Sequence, residues 1–179
     1  MGAAAQHMIG AVMELERVRS FEPVIWPESK VLILGTVPSP KSREVDINYG
    51  NPRNRFWKVI AALWDEKDPI ERDRRFDLLR RHRLALWDVL ESCSINGASD
   101  SSIKDPVPND IGRVLREAPI KAIFTTGSTA TKLYRRLCEP ACGVGCVGLP
   151  STSPANAAWS FERLCEAYQP IRTMADSGL

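Results

Sequence analysis

The sequence predicts an α/β protein, a three-layer α/β/α sandwich built on a central, mostly parallel four-stranded sheet. Short apolar runs alternate with segments of helical periodicity, a pattern typical of a parallel sheet with helices on both faces. The chain has 179 residues, enough to bury about 70% of its unfolded surface in one core, and its sequence contains no internal repeat. The predicted strands are the apolar runs at residues 31–34, 84–90, 120–126 and 144–149.

The first half of the chain supplies two of these strands and two helices. The first strand ends at Gly35, where a long polar segment begins. Residues 54–65 place aromatic and aliphatic side chains at helical spacing, which predicts an amphipathic helix packed on the sheet. A second, arginine-rich helix is predicted at residues 69–83, directly before the second strand. Residues 91–108 are rich in Ser, Asn, Gly and Asp, and we therefore expect a long surface loop there.

The second half is predicted to contain three helices. Asn109 is expected to cap a helix that extends through residue 118, because Asn is favoured at helix starts. The third strand is predicted to stop at Gly127, and a helix at residues 128–138 follows it. Ser153 and Pro154 match an N-cap and a first helical position, so the last helix is predicted to begin there and to end near residue 174.

The chain is expected to form one domain, at residues 20–179. Residues 1–19 are interpreted as a tag remnant or a flexible N-terminus, since residues 1–10 have neither a basic leader nor a long apolar core. No apolar run approaches the roughly 20 residues of a membrane span. We therefore expect a monomer in the cytoplasm with no membrane partner.

The five cysteines do not predict disulfides, because the chain shows no export features. Three of them, Cys138, Cys142 and Cys146, are spaced by fours, whereas zinc and iron–sulfur sites favour CxxC pairs. With only two histidines in the chain, we expect no metal site and no cofactor.

Basic charge is concentrated in the middle of the chain. Residues 71–83 carry a net charge of +3 and residues 113–136 a net charge of +5, although the whole chain carries only +2. This distribution suits a polyanionic partner, but solvated helix faces would produce the same pattern.

Two polar segments, residues 35–57 and 148–156, each follow a predicted strand. Ligands of open α/β sheets bind at the carboxyl ends of the strands, so we expect one shared site. The sequence has no GxxxxGK[ST] loop, no GxGxxG after a strand and no GxSxG elbow, and His82 lies in the arginine-rich helix. The remaining hydroxyl, amide and backbone groups can orient water and hold a leaving group.

Four motifs occur in a fixed order: GTVPS with YGNPRNRFW, then LWDVL, then DSSIK, and finally LPSTSPAN. In these motifs the chain resembles the uracil-DNA glycosylase superfamily, most closely its hypoxanthine-DNA glycosylase branch, over about residues 20–170. The mismatch-specific uracil glycosylases share a shorter PxNRFW segment. The resemblance implies a uracil-DNA glycosylase-like fold, DNA containing a deaminated base as the partner, and base flipping followed by hydrolysis of the N-glycosidic bond of hypoxanthine or uracil, without metal or cofactor.

The resemblance also suggests catalytic residues. In the mismatch-specific relatives a Gly-x-Asn-Pro loop positions the attacking water, and here Val37 stands in place of that Asn. The hypoxanthine branch also lacks that Asn and relies on another one, so the resemblance implies a catalytic role for Asn54, with Asn51 as the fallback. The alternative for Asn54 is that it caps the helix that begins beside it.

The same resemblance implies residues for the base and for the strand. Tyr49 would stack on the flipped base, and backbone groups of Thr36 and Val37 would line its pocket. Asp88 would read the base edge or serve as a turn partner. The residues implied to hold the DNA strand are Ser39, Arg53, Ser151, Ser153 and Asn156.

Two other functions remain open from the sequence. Val37 is compatible with a DNA-binding protein of the same fold that does not turn over. A hydrolase of free nucleosides would need no phosphate contacts, and DNA binding that weakens steeply with salt would argue against it.

Overall fold

The computed structural model describes residues 14–178 and contains two sheets. The larger sheet has four parallel strands in the order β3-β2-β6-β7, and the smaller is an antiparallel sheet in the order β1-β4-β5. The mostly parallel four-stranded sheet predicted from the sequence is confirmed. The strands are β1 (Glu16–Arg19), β2 (Val31–Gly35), β3 (Leu84–Asp88), β4 (Leu90–Asn96), β5 (Ser99–Pro108), β6 (Ala122–Thr126) and β7 (Val147–Leu149).

Helices cover both faces of the parallel sheet, as the apolar strand pattern requires. They are α1 (Pro40–Val45), α2 (Phe56–Ala62), α3 (Arg72–Arg81), α4 (Ile111–Glu117), α5 (Ser128–Leu133), α6 (Glu139–Cys142) and α7 (Phe161–Asp176), with a π-helical turn (Tyr134–Cys138) between α5 and α6. No helix within residues 14–178 combines the length and apolarity of a membrane span.

Strand β2 is buried throughout and divides the core into two clusters. Val31 and Ile33 face a cluster formed with α2, α3 and α7, where Trp57 and Tyr168 are fully buried. Leu32 and Leu34 face the other cluster, formed with α4, α5 and strands β1 and β4. Successive side chains of β2 therefore point to opposite faces of the sheet and pack in different clusters. The predicted three-layer arrangement is therefore present.

The segment at residues 91–108 was predicted to be a loop, and this is wrong. It forms the hairpin of β4 and β5, because β4 alternates buried residues such as Cys93 and Ile95 with more exposed ones. The side chains of β5 are mostly exposed and polar, so its sequence resembles a loop. The two-residue turn between the strands is formed by residues 97 and 98, and Gly97, with φ of +57°, was a usable signal because Gly is typical of the first position of such turns.

Strand β1 lies inside residues 1–19, which the sequence analysis assigned to a tag remnant or flexible terminus. Residues 16–19 instead pair with β4, and Val18 is buried in the core. Residues 1–13 lie outside the described part of the chain. The domain boundary predicted at residue 20 therefore falls too late by at least this strand.

Two helix starts also differ from the prediction. Asn109 does not cap α4; its Nδ2 donates to the Asp88 carbonyl at 2.8 Å, and the helix begins at Ile111. The last helix begins at Phe161 instead of Pro154, with Ser160 as its N-cap accepting from a backbone N–H at 3.2 Å. The predicted start lies in a stretch whose carbonyl groups accept hydrogen bonds from Arg55.

Candidate active site

A cavity of about 180 Å³ lies at the carboxyl ends of β2, β3 and β6, where both polar segments meet. The hairpin of β4 and β5 closes one side of it. The shared site predicted from the two segments is thus present as a hollow. Eight residues singled out from the sequence line it: Thr36, Val37, Ser39, Tyr49, Asn54, Asp88, Ser151 and Ser153.

Asp88 is the buried carboxyl group of this cavity. It is the last residue of β3, its side chain is only 4% exposed, and Oδ2 has no hydrogen-bond partner among the described residues. Burial raises the pKa of Asp88 from 3.8 to about 7, because the charged form loses its solvation. The carboxyl group is therefore neutral below about pH 7 and offers one donor and one acceptor.

Tyr49 stands beside Asp88. Its backbone has φ of +54°, and its hydroxyl group and the Thr126 hydroxyl are 2.6 Å apart in a hydrogen bond. One face of the ring stacks on Phe56, with centroids 3.8 Å apart and planes 13° apart. Burial raises the pKa of Tyr49, so the phenol stays protonated. An aromatic ligand could therefore stack only on the opposite face of the Tyr49 ring.

Gly35 makes the close approach of these two side chains possible. A Cβ built at this position would lie 2.8 Å from Oδ1 of Asp88 and 2.9 Å from the hydroxyl oxygen of Tyr49. Both distances are shorter than real Cβ contacts. Any larger residue at the end of β2 would therefore push into the cavity or displace its polar groups.

Asn54 connects the two polar segments. Its Oδ1 accepts from the backbone N–H of Phe56 at 2.9 Å and from the hydroxyl group of Thr152 at 2.8 Å. The N-cap of α2 is Arg55, so Asn54 lies one position before it and bonds the N–H of the first helical residue. Both lone pairs of Oδ1 are used, while Nδ2 meets no acceptor among residues 14–178.

Three predicted residues do not line the cavity. Asn51 accepts the backbone N–H of Arg53 at 2.9 Å through Oδ1, so it stabilises the turn before α2. The Arg53 side chain is exposed. Asn156 donates through Nδ2 to the Ser151 carbonyl at 2.9 Å and lines an adjoining groove instead.

The serines of both segments cap backbone groups. Ser39 is the N-cap of α1, and its Oγ accepts from the Ser42 N–H at 3.2 Å. In the second segment, Ser151 Oγ accepts from the Ser153 N–H at 3.1 Å. Ser153 Oγ in turn accepts from Ala155 at 3.2 Å. These bonds fix the loop backbones and engage each hydroxyl oxygen as an acceptor.

Arg55 is the structural residue that sequence reasoning missed. Its guanidinium group donates to the carbonyl groups of Ser153 at 3.2 Å and Asn156 at 3.1 Å, and also to that of Trp159. Its backbone N–H donates to Thr152 at 3.1 Å. Arginine within a polar motif usually indicates a solvated side chain. Nothing local marks this one as the anchor of a loop about one hundred positions away.

The histidine and cysteines lie apart from this chemistry. His82 stacks on Trp64 at 4.0 Å, and its Nε2 is 2.8 Å from an oxygen of Glu66. Cys138 is buried, and burial raises its pKa to about 12. Within the described residues, no three His, Cys, Asp or Glu side chains are grouped so that they could hold a metal ion.

Comparison with known proteins gives consistent matches over most of the chain. The family model described as the uracil DNA glycosylase superfamily matches residues 23–172. The protein named hypoxanthine DNA glycosylase from Methanosarcina acetivorans is 32% identical over 150 residues, which cover 83% of this chain and 94% of that protein. Its namesake from Methanosarcina barkeri is 32% identical over 111 residues, covering 61% of this chain and 70% of that protein.

A solved structure is also similar. The solution NMR structure of a candidate uracil DNA glycosylase from Methanosarcina acetivorans superposes with a TM-score of 0.77 at 30% sequence identity. The similarity covers 89% of this chain and 99% of that one. The two proteins therefore share their fold over most of the chain.

Proposed function

The chain belongs to the uracil DNA glycosylase superfamily, and on this premise we propose that it is a DNA glycosylase that hydrolyses the N-glycosidic bond of a deaminated base. Hypoxanthine is the first expected substrate, since two relatives are named hypoxanthine DNA glycosylase, and uracil is the second. The observation that carries the proposal is the convergence of Tyr49, Asn54, Asp88 and Ser151 on one cavity. Base excision repair is the process to which such an activity contributes.

The cavity suits a flipped nucleobase. A base extruded from the duplex would lie against the free face of Tyr49, and stacking of this kind is worth about 1–3 kcal/mol. Backbone groups of Thr36 and Val37 line the same hollow. Deaminated bases also unpair at lower cost than correctly paired ones, which favours their capture.

Asp88 would read the base edge as a neutral acid. Deaminated bases present an N–H group next to a carbonyl oxygen, and a protonated carboxyl group can accept from the first and donate to the second. An ionised carboxylate could only accept, and it would repel the carbonyl oxygen. Because Oδ2 has no protein partner among the described residues, a bound base would satisfy a group that the fold leaves unpaired.

The residue types support hydrolysis by water. The bond between the sugar C1′ and the base nitrogen breaks with its electron pair going to the base. The water oxygen then bonds to C1′, and one water proton ends on the departing base. Donors facing the base stabilise its developing negative charge, and the protonated Asp88 carboxyl group, which lines the cavity, would donate such a hydrogen bond. Asn54 would hold the water through Oδ1 after exchange with Thr152.

Ser39, Ser151, Ser153, Arg53 and Asn156 are proposed to hold the DNA strand. The oxygens of Ser151 and Ser153 accept a backbone N–H, so their own hydroxyl protons are available to a phosphate oxygen. The Ser39 hydroxyl donates to Oγ of Ser42 at 3.0 Å and would have to exchange that bond for a phosphate contact. The active form is proposed to be a monomer. Action in the cytoplasm, without metal or cofactor, completes the proposal.

A single-turnover assay on oligonucleotides containing hypoxanthine or uracil tests the proposal. We expect abasic product from at least one of these substrates and none from undamaged DNA. Tight binding without product would support the DNA-binding alternative. Cleavage of free deoxynucleosides without cleavage of DNA would instead support the nucleoside hydrolase.

Asn54→Ala tests the catalytic assignment. We expect the single-turnover rate to fall by about 10²-fold or more, because groups that position or deprotonate the nucleophile contribute at this level. DNA affinity should change little. Asn51→Ala is the matched control, since Asn51 has the same side chain but does not line the cavity.

Thr152→Val separates water positioning from loop stability. This change frees Oδ1 of Asn54 from one of its two donors, so the rate should be retained if that oxygen binds the water. A rate in Thr152→Val as low as in Asn54→Ala would mean that the hydrogen bond between the two segments is what matters. Retained turnover in Asn54→Ala would move the catalytic role elsewhere.

A further inference from the structure

An open groove of about 860 Å³ continues from the cavity across the surface. The two hollows share Asp100, Ser151 and Ser153 in their linings, so they are contiguous. One wall of the groove is formed by α5 and the π-helical turn after it. The opposite wall is formed by the segment from Gly148 to Trp159. Any polymer that delivers one unit into the cavity has this groove as a path for its neighbouring units.

Lys132 and Arg135 are the basic side chains of the groove wall. Both residues are exposed, and they lie three positions apart, which places them on the same side of the helical wall with Cβ atoms about 5–6 Å apart. No carboxylate in residues 14–178 lies within ion-pair distance of either one. Their charges are therefore available to a ligand.

The other basic run of the sequence behaves differently. The arginines of α3 form ion pairs with acids of neighbouring segments: Arg72 with Asp46, Arg74 with Glu71, Arg75 with Asp68, Arg80 with Glu28 and Arg81 with Glu66. Within residues 113–136, Arg113 and Arg116 are also paired with acids. Of the two basic runs in the sequence, the arginines on α3 are balanced by ion pairs. Lys132 and Arg135 at the groove have no such partner among the described residues.

One carboxyl group, that of Asp100, lies among the described residues that line the groove, at its junction with the cavity. Lys132 and Arg135 outnumber this exposed carboxylate in the lining of the groove. The wall farther from the cavity carries only the two basic charges. The groove is therefore a surface of net positive charge that leads directly to the candidate base pocket.

We propose that this groove binds the stretch of DNA strand adjacent to the flipped nucleotide, with Lys132 and Arg135 contacting its phosphates. The inference rests on the proposed function, since it assigns the path of the strand whose base enters the cavity. The contacts are to phosphates, so they add affinity without selecting the base. Because each neutralised phosphate releases counterions, the binding they provide is strongly salt-dependent.

The test compares two double variants that remove the same charge. Lys132→Gln/Arg135→Gln changes the groove, and Arg74→Gln/Arg80→Gln changes exposed, ion-paired arginines on α3. The probe is a duplex oligonucleotide with a tetrahydrofuran abasic analogue, which cannot be hydrolysed. Its dissociation constant is measured by fluorescence anisotropy over a series of salt concentrations.

We expect the groove variant to lower the slope of log affinity against log salt by about 2 and to weaken binding by about 10- to 100-fold at 0.1 M salt. The α3 variant should stay near the wild type in both measurements. Excision at saturating DNA should be unchanged in both variants, because neither pair of residues lines the cavity.

Equal effects of the two variants, or no effect of the groove variant, would overturn the assigned path. The excision assay keeps this failure distinct from failure of the proposed function. A wild-type protein that releases no base while the groove variant still loses salt-dependent affinity would refute the glycosylase activity and support the groove. An active wild-type protein with unchanged binding in the groove variant would support the glycosylase activity and refute the assigned path of the strand.

Discussion

Replacing Asp88 by asparagine should stabilise the fold, and the gain should grow with pH. The carboxyl group is buried at the end of β3, where its pKa is raised from 3.8 to about 7 by loss of solvation. Between pH 3.8 and about pH 7 the folded state binds more protons than the unfolded state. Stability therefore falls as pH rises through this window, and asparagine, which has no proton to lose, removes that dependence.

The size of the effect follows from the two pKa values. A displacement from 3.8 to about 7 corresponds to about 4 kcal/mol of destabilisation once the group is ionised in both states, since one pKa unit is worth about 1.4 kcal/mol. At pH 4 less than about 1 kcal/mol of this is expressed, because the unfolded carboxyl group is still partly protonated. The advantage of Asp88→Asn should thus increase by about 3 kcal/mol or more between pH 4 and pH 8.

Urea unfolding of both proteins at pH 4, 6 and 8 measures this difference. All other titrating groups are common to the two chains, so they cancel when the free energies of unfolding are subtracted. With an m-value of about 2 kcal/mol/M, the expected change corresponds to a shift of about 1.5 M in the relative midpoints. A difference between the proteins that stays constant with pH would refute the neutral Asp88 on which base reading by this residue depends.

Three further substitutions test the rest of the site. Arg55→Met removes the donors to three carbonyl groups and should lower the free energy of unfolding by about 2–4 kcal/mol in urea titrations; unchanged stability would mean that other contacts hold the segment. Gly35→Ala should reduce single-turnover excision at least about 10-fold, because the added methyl group would displace the side chains around the cavity at a cost of about 1–3 kcal/mol. A wild-type rate would show that these side chains relax without loss of function. Tyr49→Phe should cost about 1 kcal/mol of stability with little loss of excision, whereas Tyr49→Ala should lose both; equal losses of excision would assign the role to the hydroxyl group bonded to Thr126.

The parallel sheet could be predicted because its strands are continuous apolar runs that are buried on both faces. Strand β2 is buried at all five positions, and the sequence shows this directly. The hairpin was missed because β5 has little buried surface and its stability comes from pairing with β4. Its local signal is Gly97, the first residue of the two-residue turn. The start of α7 was misplaced because Ser153 and Ser160 are both suitable N-caps, and tertiary contacts decide between them.

The candidate site was predictable in outline for a geometric reason. Parallel strands end at one edge, so polar segments that follow them must meet there, and Tyr49 and Ser151 do line one cavity. The partners within it could not be read from the sequence. The bond between Asn54 and Thr152 joins positions 98 apart, and the carbonyl groups bound by Arg55 are equally distant. The availability of Lys132 likewise depends on where the acids of other segments lie.

The hairpin of β4 and β5 allows the size of the cavity to change independently of the stability of the parallel sheet. It contributes Ile95, Gly97 and Ala98 to the cavity wall but does not belong to the parallel sheet that carries Asp88. Lengthening or trimming its turn would resize the space for a ligand while the side chains carried by the parallel sheet keep their positions. Divergence in the size of the accepted base can therefore proceed through insertions and deletions at a surface turn, at little cost to the hydrophobic layers beneath.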